Sequence, residues 1–375
     1  MSKKRGNGEG SITKRKDGRW MARYVVHTSN GPKRRHIYGK TRQEVAEKLS
    51  KAVSDRVGGL VFDGDRETLG AFLERWLDEA VRDTVKQSTF ENYAYVVRRH
   101  ITPDLGLVRL RDLKSRDVRR LYWEKLDVGL SPRTVQIIHT VLRRALQQAV
   151  RDDVLPRNVC DAVTAPRRTK KEMRPLAPGQ AKRLLTVVHG DRLEALYVLA
   201  VTAGLREGEL LGLRWDDLDL GRRLLQVRRQ LTRTRAGLSF SAPKRGKARV
   251  VRLTSTAVAA LEGHRAEQNE ERTRAGSLWQ ETNLVFTSTV GTPVDVGNLT
   301  YRSFRPLLKR ADLPRIRFHD LRHTCATLLL SRGTHPKIVQ EMLGHANISM
   351  TMDTYSHVLP DMQEKAVDAM DDVLT

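Results

Sequence analysis

The spacing of apolar residues changes twice along the chain, and each change marks a different kind of element. Near the N-terminus, Arg19-Trp20-Met21-Ala22-Arg23-Tyr24-Val25-Val26 alternates like a half-buried strand. Arg34-Arg35-His36-Ile37-Tyr38 reads as its partner across a Ser29-Asn30-Gly31-Pro32 turn. Thr41 with Glu44 three residues later has the form of a capping box, and it opens a helix whose apolar stripe is Val45, Leu49 and Val53. Past Gly58-Gly59 and a linker over 64–67 the period becomes helical. One helix opens at Thr68, and others are predicted over 88–101 (Phe90, Tyr93, Val96, Val97), 115–126 and 131–149. Ser131-Pro132 starts the last, with serine as the cap and proline at the first helical position. Four helices with short loops suffice for one small core.

Pro156 and then Pro166-Arg167-Arg168-Thr169-Lys170-Lys171 mark an extended basic linker, suited to letting two domains close around a duplex. Beyond Leu176, helices are predicted over 180–188 and 192–203, with Gly204 ending the second so as to present Arg206. Strand-like runs follow at 224–227, 238–240 and 249–253, the last two joined by Pro243-Lys244-Arg245-Gly246-Lys247 as a polar hairpin tip. The remainder reads as helix, apart from Leu284-Val285-Phe286. The expected class is mainly α with small β elements (α+β), in three domains over 1–62, 67–160 and 172–375.

Composition adds a partner to this outline. A length of 375 residues exceeds one ordinary core. The formal charge of +24 is spread along the chain and favours a polyanion such as nucleic acid over the rival reading, a membrane surface. No run of eighteen apolar residues occurs, and Met1-Ser2-Lys3-Lys4-Arg5 leads into glycines and polar residues; a soluble, cytoplasmic protein is expected. Cys160 and Cys325 form neither a disulfide framework nor a metal cluster and read as buried small apolar residues. Arg98, Arg99, Arg116, Arg119, Arg120, Arg143 and Arg144 on the helical polar faces suit phosphate contacts more than base reading.

Candidate chemistry centres on Phe318-His319-Asp320-Leu321-Arg322-His323-Thr324, where helical spacing puts His319 and Arg322 on one face. His319-Asp320 also fits a metal phosphohydrolase pair, but no set of further ligands accompanies it. The other boxes are Thr202-Ala203-Gly204-Leu205-Arg206-Glu207-Gly208-Glu209-Leu210, Pro243-Lys244, Leu343-Gly344-His345 and Tyr355, ten residues after His345. In this order they resemble the signature of tyrosine recombinases of the phage integrase family, closely in the C-terminal half and in architecture elsewhere.

The resemblance implies a site-specific DNA recombinase working through a 3′-phosphotyrosine. Tyr355 would be the nucleophile, Arg206, Arg322 and His345 would bind phosphate oxygens, and His319 would exchange protons around the tyrosine. Lys244 would protonate the leaving 5′ oxygen, with Lys247 its nearest competitor, and Glu209 would support an active-site cation. His323 and His357 read as structural neighbours of the motif. The resemblance further implies an arm-type DNA-binding domain over 1–62, a core-site-binding domain over 67–160, and a homotetramer on double-stranded DNA. It implies no cofactor and no metal; a DNA-bending or excision factor is a possible partner. Alternatives are a type IB topoisomerase and a DNA-binding regulator without chemistry. The tail over 361–375 sets five acidic residues against Lys365, with an apolar stripe (Met362, Ala366, Val367, Met370, Val373, Leu374) expected to dock as a helix on its own or a neighbouring protomer.

Overall fold

The computed structural model describes residues 11–28, 31–57, 67–167, 173–243 and 248–355, together with 367, 370–372 and 374. It is mainly α-helical with small antiparallel sheets, as expected, and its chain falls into two compact units, 1–170 and 171–375.

The first unit begins with a three-stranded sheet in the order β1 (Ser11–Lys14), β2 (Trp20–Thr28), β3 (Gly31–Gly39). The two alternating segments pair antiparallel, with Met21 opposite Tyr38 and Arg23 opposite His36. Gly31 and Pro32, read as part of the turn, belong to β3; Ser29 and Asn30 lie outside the described residues. The strand β1 escapes a sequence reading because it is short and almost wholly exposed, with only Ile12 packed inward. Helix α1 (Arg42–Val57) closes a small core of Ala22, Val45 and Leu49. Thr41 Oγ1 accepts from the Glu44 amide at 3.1 Å, while the Glu44 carboxylate reaches past Thr41 to accept from the Lys40 amide at 2.8 Å.

The helical bundle follows: α2 (Leu69–Trp76), α3 (Gln87–Val96), the single turn α4 (Thr102–Leu105), α5 (Ser115–Asp127) and α6 (Pro132–Arg151). Thr68 Oγ1 caps α2 through the Ala71 amide and Ser131 Oγ caps α6 through the Thr134 amide. The start of α5 is held by the Asp117 carboxylate accepting from the Lys114 amide at 3.0 Å. Wider π-type turns over Leu77–Val81 and Val97–Ile101 continue α2 and α3 and bury Leu77, Val81, Val97 and Ile101. Leu73, Ile138, Leu142 and Leu146 fill the centre, each buried leucine contributing about 1.5–3 kcal/mol. Arg98 forks onto Glu74, Arg143 binds Asp161, Arg144 donates to the Tyr93 hydroxyl, and Arg116 and Arg120 pair with Asp117 and Glu124, so five of the arginines expected to face phosphate have partners within the bundle.

In the second unit α7 (Pro178–Val188) and α8 (Glu194–Thr202) lead through Gly204 into α9 (Glu207–Leu211). The strands β4 (Leu218–Asp219), β5 (Leu224–Val227), β6 (Gln230–Thr234), β7 (Gly237–Ser241) and β8 (Arg249–Arg252) form two sheets, β4-β5-β8 and β6-β7. This corrects the expected pairing of 238–240 with 249–253: the 243–247 connection runs between strands of different sheets. The partner of β7 is β6, whose Gln-Leu-Thr-Arg-Thr sequence buries only Leu231 and so gives little strand signal. Residues 284–286 make a single bridge, Arg214 to Leu284, because the facing backbone turns away at Trp215. The remaining helices are α10 (Ser255–Ala275), the turn α11 (Val296–Asn298), α12 (Arg305–Arg310), α13 (His319–Ser331), α14 (Pro336–Leu343) and α15 (Ile348–Tyr355), while 279–283, 287–295 and 311–317, read as helix from the sequence, run as turns and extended connections. Cys160 and Cys325 are both buried free thiols. Among the described residues no helix is long and apolar enough to cross a membrane.

Candidate active site

Two glycines let the first and last boxes meet. Gly204 has φ +60°, and a Cβ there would lie 2.6 Å from Leu343 Cδ2 and 3.2 Å from Cys325 Sγ, so only glycine turns the chain in this space. Gly344, at φ +66°, ends α14 in the left-handed conformation and turns the backbone toward His345.

Arg206 precedes the first turn of α9. Its Nη1 donates to Glu209 Oε1 at 2.7 Å and its Nη2 to the Gly344 carbonyl at 3.1 Å. Arg322 lies on α13, only 2% exposed, and donates to the carbonyls of Gly204 at 2.8 Å and Leu343 at 2.6 Å. The two arginines therefore flank one turn, 343–344. His345 sits at its far end, where Nδ1 and Thr351 Oγ1 are 2.8 Å apart. Thr351 is fully buried and one helical turn before Tyr355 on α15, so this bond ties α15 to the histidine box.

His319 starts α13 and stacks edge-on against His323, ring centroids 5.0 Å apart. Desolvation, and after it the Arg322 guanidinium, holds His319 below the ordinary imidazole range. Desolvation and the neighbouring His319 push His323 down to about 4, and desolvation with Arg322 and Arg206 pushes His345 down to about 3. These imidazoles are neutral near pH 7. Asp320 does not face a ligand: its carboxylate accepts from the Arg317 amide and guanidinium, which removes the geometric basis for a His319-Asp320 metal pair. Among the described residues no group of three or more His, Cys, Asp or Glu is gathered to hold a metal ion.

Glu209 has no exposed side-chain surface and accepts from both Arg206 and Arg249. Burial works to raise its carboxyl, but the hydrogen bonds and charge of Arg249, with help from Arg206, bring it down to about 2. Arg249 was not legible as a site residue. The available signal was its place on the buried phase of an amphipathic strand, in step with Val251, where a guanidinium must find buried acceptors. Thr351 carried no signal beyond its helical spacing from Tyr355. Lys244, Lys247, His357 and most of the tail lie outside the described residues, as does the side chain of Tyr355. Val367, Met370 and Leu374 of the tail are helical and exposed.

Beside this cluster, Glu207 has a buried Oε1 with no hydrogen-bond partner, and burial raises its carboxyl to about 7. The fold thus favours the protonated form, and this contribution is present below about pH 4.5 and lost as pH rises through about 7. Glu207→Gln should flatten the dependence of melting temperature on pH between these values and stabilise the protein near pH 8 by roughly 1 kcal/mol, discounted for partial exposure. Thermal melts across that range check it; an unchanged profile would mean that the carboxyl is solvated.

Residues 174–362 match the phage integrase family model, and residues 68–126 match the model of the phage integrase N-terminal SAM-like domain. The chain is 32% identical to a tyrosine recombinase XerC-like protein of Caldanaerobacter subterraneus, over 91% of this chain and 92% of the relative. It is 31% identical to an integrase of Streptomyces ambofaciens, over 98% and 97%. Its fold matches the Tn1549 transposon integrase in complex with circular intermediate DNA (TM-score 0.66, 25% identity, 77% of this chain and 95% of that one). It also matches the lambda integrase tetramer bound to a Holliday junction (TM-score 0.57, 19% identity, 90% and 95%). With the family model covering half the sequence and these relatives spanning nearly all of it, the chain belongs to the phage integrase family and is a tyrosine-type site-specific recombinase.

Proposed function

We propose that Tyr355 attacks the scissile phosphorus of duplex DNA, joining its phenolic oxygen to the 3′ phosphate as the bond to the 5′ oxygen breaks. Arg206, Arg322 and His345 stabilise charge on the non-bridging oxygens, His319 exchanges the phenolic proton, and Lys244 gives a proton to the departing 5′ oxygen. The phosphotyrosine conserves the bond energy, so attack by the 5′ hydroxyl of a second duplex rejoins the strand without ATP. The observation that carries this reading is the convergence of Arg206 and Arg322 on the 343–344 turn that presents His345. A neutral His345 fits its role: the tautomer that accepts the Thr351 hydroxyl at Nδ1 carries its hydrogen on Nε2, where a phosphate oxygen would accept it.

The reading extends to assembly. Four protomers act on two duplexes, in keeping with the lambda integrase tetramer on its junction. The 67–160 domain holds the core site and the 1–62 domain binds a separate arm site. The 361–375 tail docks on a catalytic domain, its own or a neighbour's. The element moved is a phage or integrative element of a bacterium, with the reaction taking place in the cytoplasm and a DNA-bending or excision factor setting its direction. Relatives named ICEBs1 integrase, of Bacillus subtilis, and putative prophage phiRv2 integrase, of Mycobacterium tuberculosis, support this setting. The test is recovery of DNA that stays bound to the protein through denaturation, followed by sequencing of the bound strand. A duplex of that sequence should form a 3′ adduct and exchange strands with a second labelled duplex. An adduct without exchange would favour a topoisomerase; no adduct would favour a binding regulator.

A further inference from the structure

Arg249 commits all three of its guanidinium nitrogens to the cluster. Its Nη1 and Nη2 donate to Glu209 Oε1 and Oε2 at 3.0 and 2.7 Å, and its Nε donates to the Met342 carbonyl at 2.9 Å. Its guanidinium also lies against the Gly344 turn, where an added Cβ would be 3.0 Å from Nη1 and 3.2 Å from Cζ. Glu209 in turn receives Arg206 Nη1 on the same Oε1 and the Arg206 amide on Oε2. One side chain thus spans a strand, the helix that begins at the first arginine box, and the turn leading to His345.

Resting on the catalytic assignment above, we infer that Arg249 is a positioning residue that sets the distance between Arg206 and His345. The argument is geometric. A carboxylate shared by two guanidiniums can swing if only one holds it, and Arg206 would follow, because two of its bonds run through Glu209. The fork from Arg249 fixes both carboxylate oxygens, and its third nitrogen fixes the backbone two residues before Gly344. Lysine offers a single nitrogen and cannot make all three contacts. Since Arg249 serves the groups facing the non-bridging oxygens, its loss acts on transition-state stabilisation and not on the leaving-group proton.

The experiment uses the full chain and a suicide duplex built on the sequence recovered from the wild-type adduct, in two forms, one with the ordinary phosphodiester and one with a 5′-bridging sulfur. Arg249→Met keeps much of the volume and removes every donor. Its single-turnover cleavage should fall on the order of 10²-fold on both linkages while DNA affinity stays within about twofold. Arg249→Lys should recover part of the loss. Combining Arg249→Met with Glu209→Gln should cost little more than either alone, since both break one unit. Wild-type cleavage in folded Arg249→Met, or a loss that tracks DNA affinity, would overturn the inference. Rescue on the sulfur linkage would also overturn it, by placing Arg249 with Lys244. If Arg249→Met does not fold, Arg249→Lys decides by the same rate and affinity. If wild-type protein forms no adduct, the catalytic assignment fails first.

Discussion

Tyr355→Phe is expected to abolish covalent attachment to DNA, with a fall in cleavage on the order of 10⁴-fold or more, while DNA affinity stays within about twofold. The change removes one oxygen and leaves the ring, so α15 keeps the residue that ends it and His345 keeps its bond to Thr351. Binding is set by the basic domains and their phosphate contacts, which the substitution does not touch. Single-turnover cleavage of a suicide duplex, read on a denaturing gel beside a native-gel binding curve, separates the two effects. Adduct formed by Tyr355→Phe would mean that another hydroxyl is the nucleophile. Tyr301 is then the residue to replace: it is 62% exposed, and the Arg305 guanidinium lies 4.1 Å from its ring centroid.

The elements with a strong period were legible without a structure. Ser131-Pro132 specifies both the cap and the first turn of α6, and the seven buried positions of that helix follow its period. The motif boxes were legible for a different reason: each needs a residue type and a fixed local spacing, and both can be seen in one dimension. What could not be seen is how the boxes meet. Arg206 and Arg322 are brought together by backbone carbonyls at 204 and 343–344, and carbonyls leave no mark in a sequence. Arg249 was hidden by composition, since one arginine among 68 basic residues draws no attention until its strand phase and its partner Glu209 are considered together. The β7 pairing failed on the choice of partner: two apolar-alternating segments joined by a polar loop read as a hairpin unless a third, polar strand is recognised as the true partner.

Arg322→Lys is expected to lower cleavage on the order of 10²- to 10³-fold and to destabilise the second unit by about 1–3 kcal/mol. The guanidinium bridges two carbonyls with two nitrogens, and an ammonium at the end of a flexible stem reaches one of them and leaves the other buried and unsatisfied. The same planar fork is what a pair of phosphate oxygens requires, so the substitution weakens both the site's framework and its hold on the transition state. Melting temperature measures the first effect and single-turnover cleavage, assayed well below the melting transition, measures the second. The two linkages then separate Arg322 from Lys244. Lys244→Ala should fail on the ordinary phosphodiester and recover on the 5′-bridging sulfur, because a thiolate leaves without a proton. Arg322→Lys should be equally slow on both, because charge still develops on the non-bridging oxygens whichever atom departs. Full recovery of Arg322→Lys on the sulfur linkage would reassign Arg322 to the leaving group, and equal failure of Lys244→Ala on both would remove Lys244 from the proton transfer.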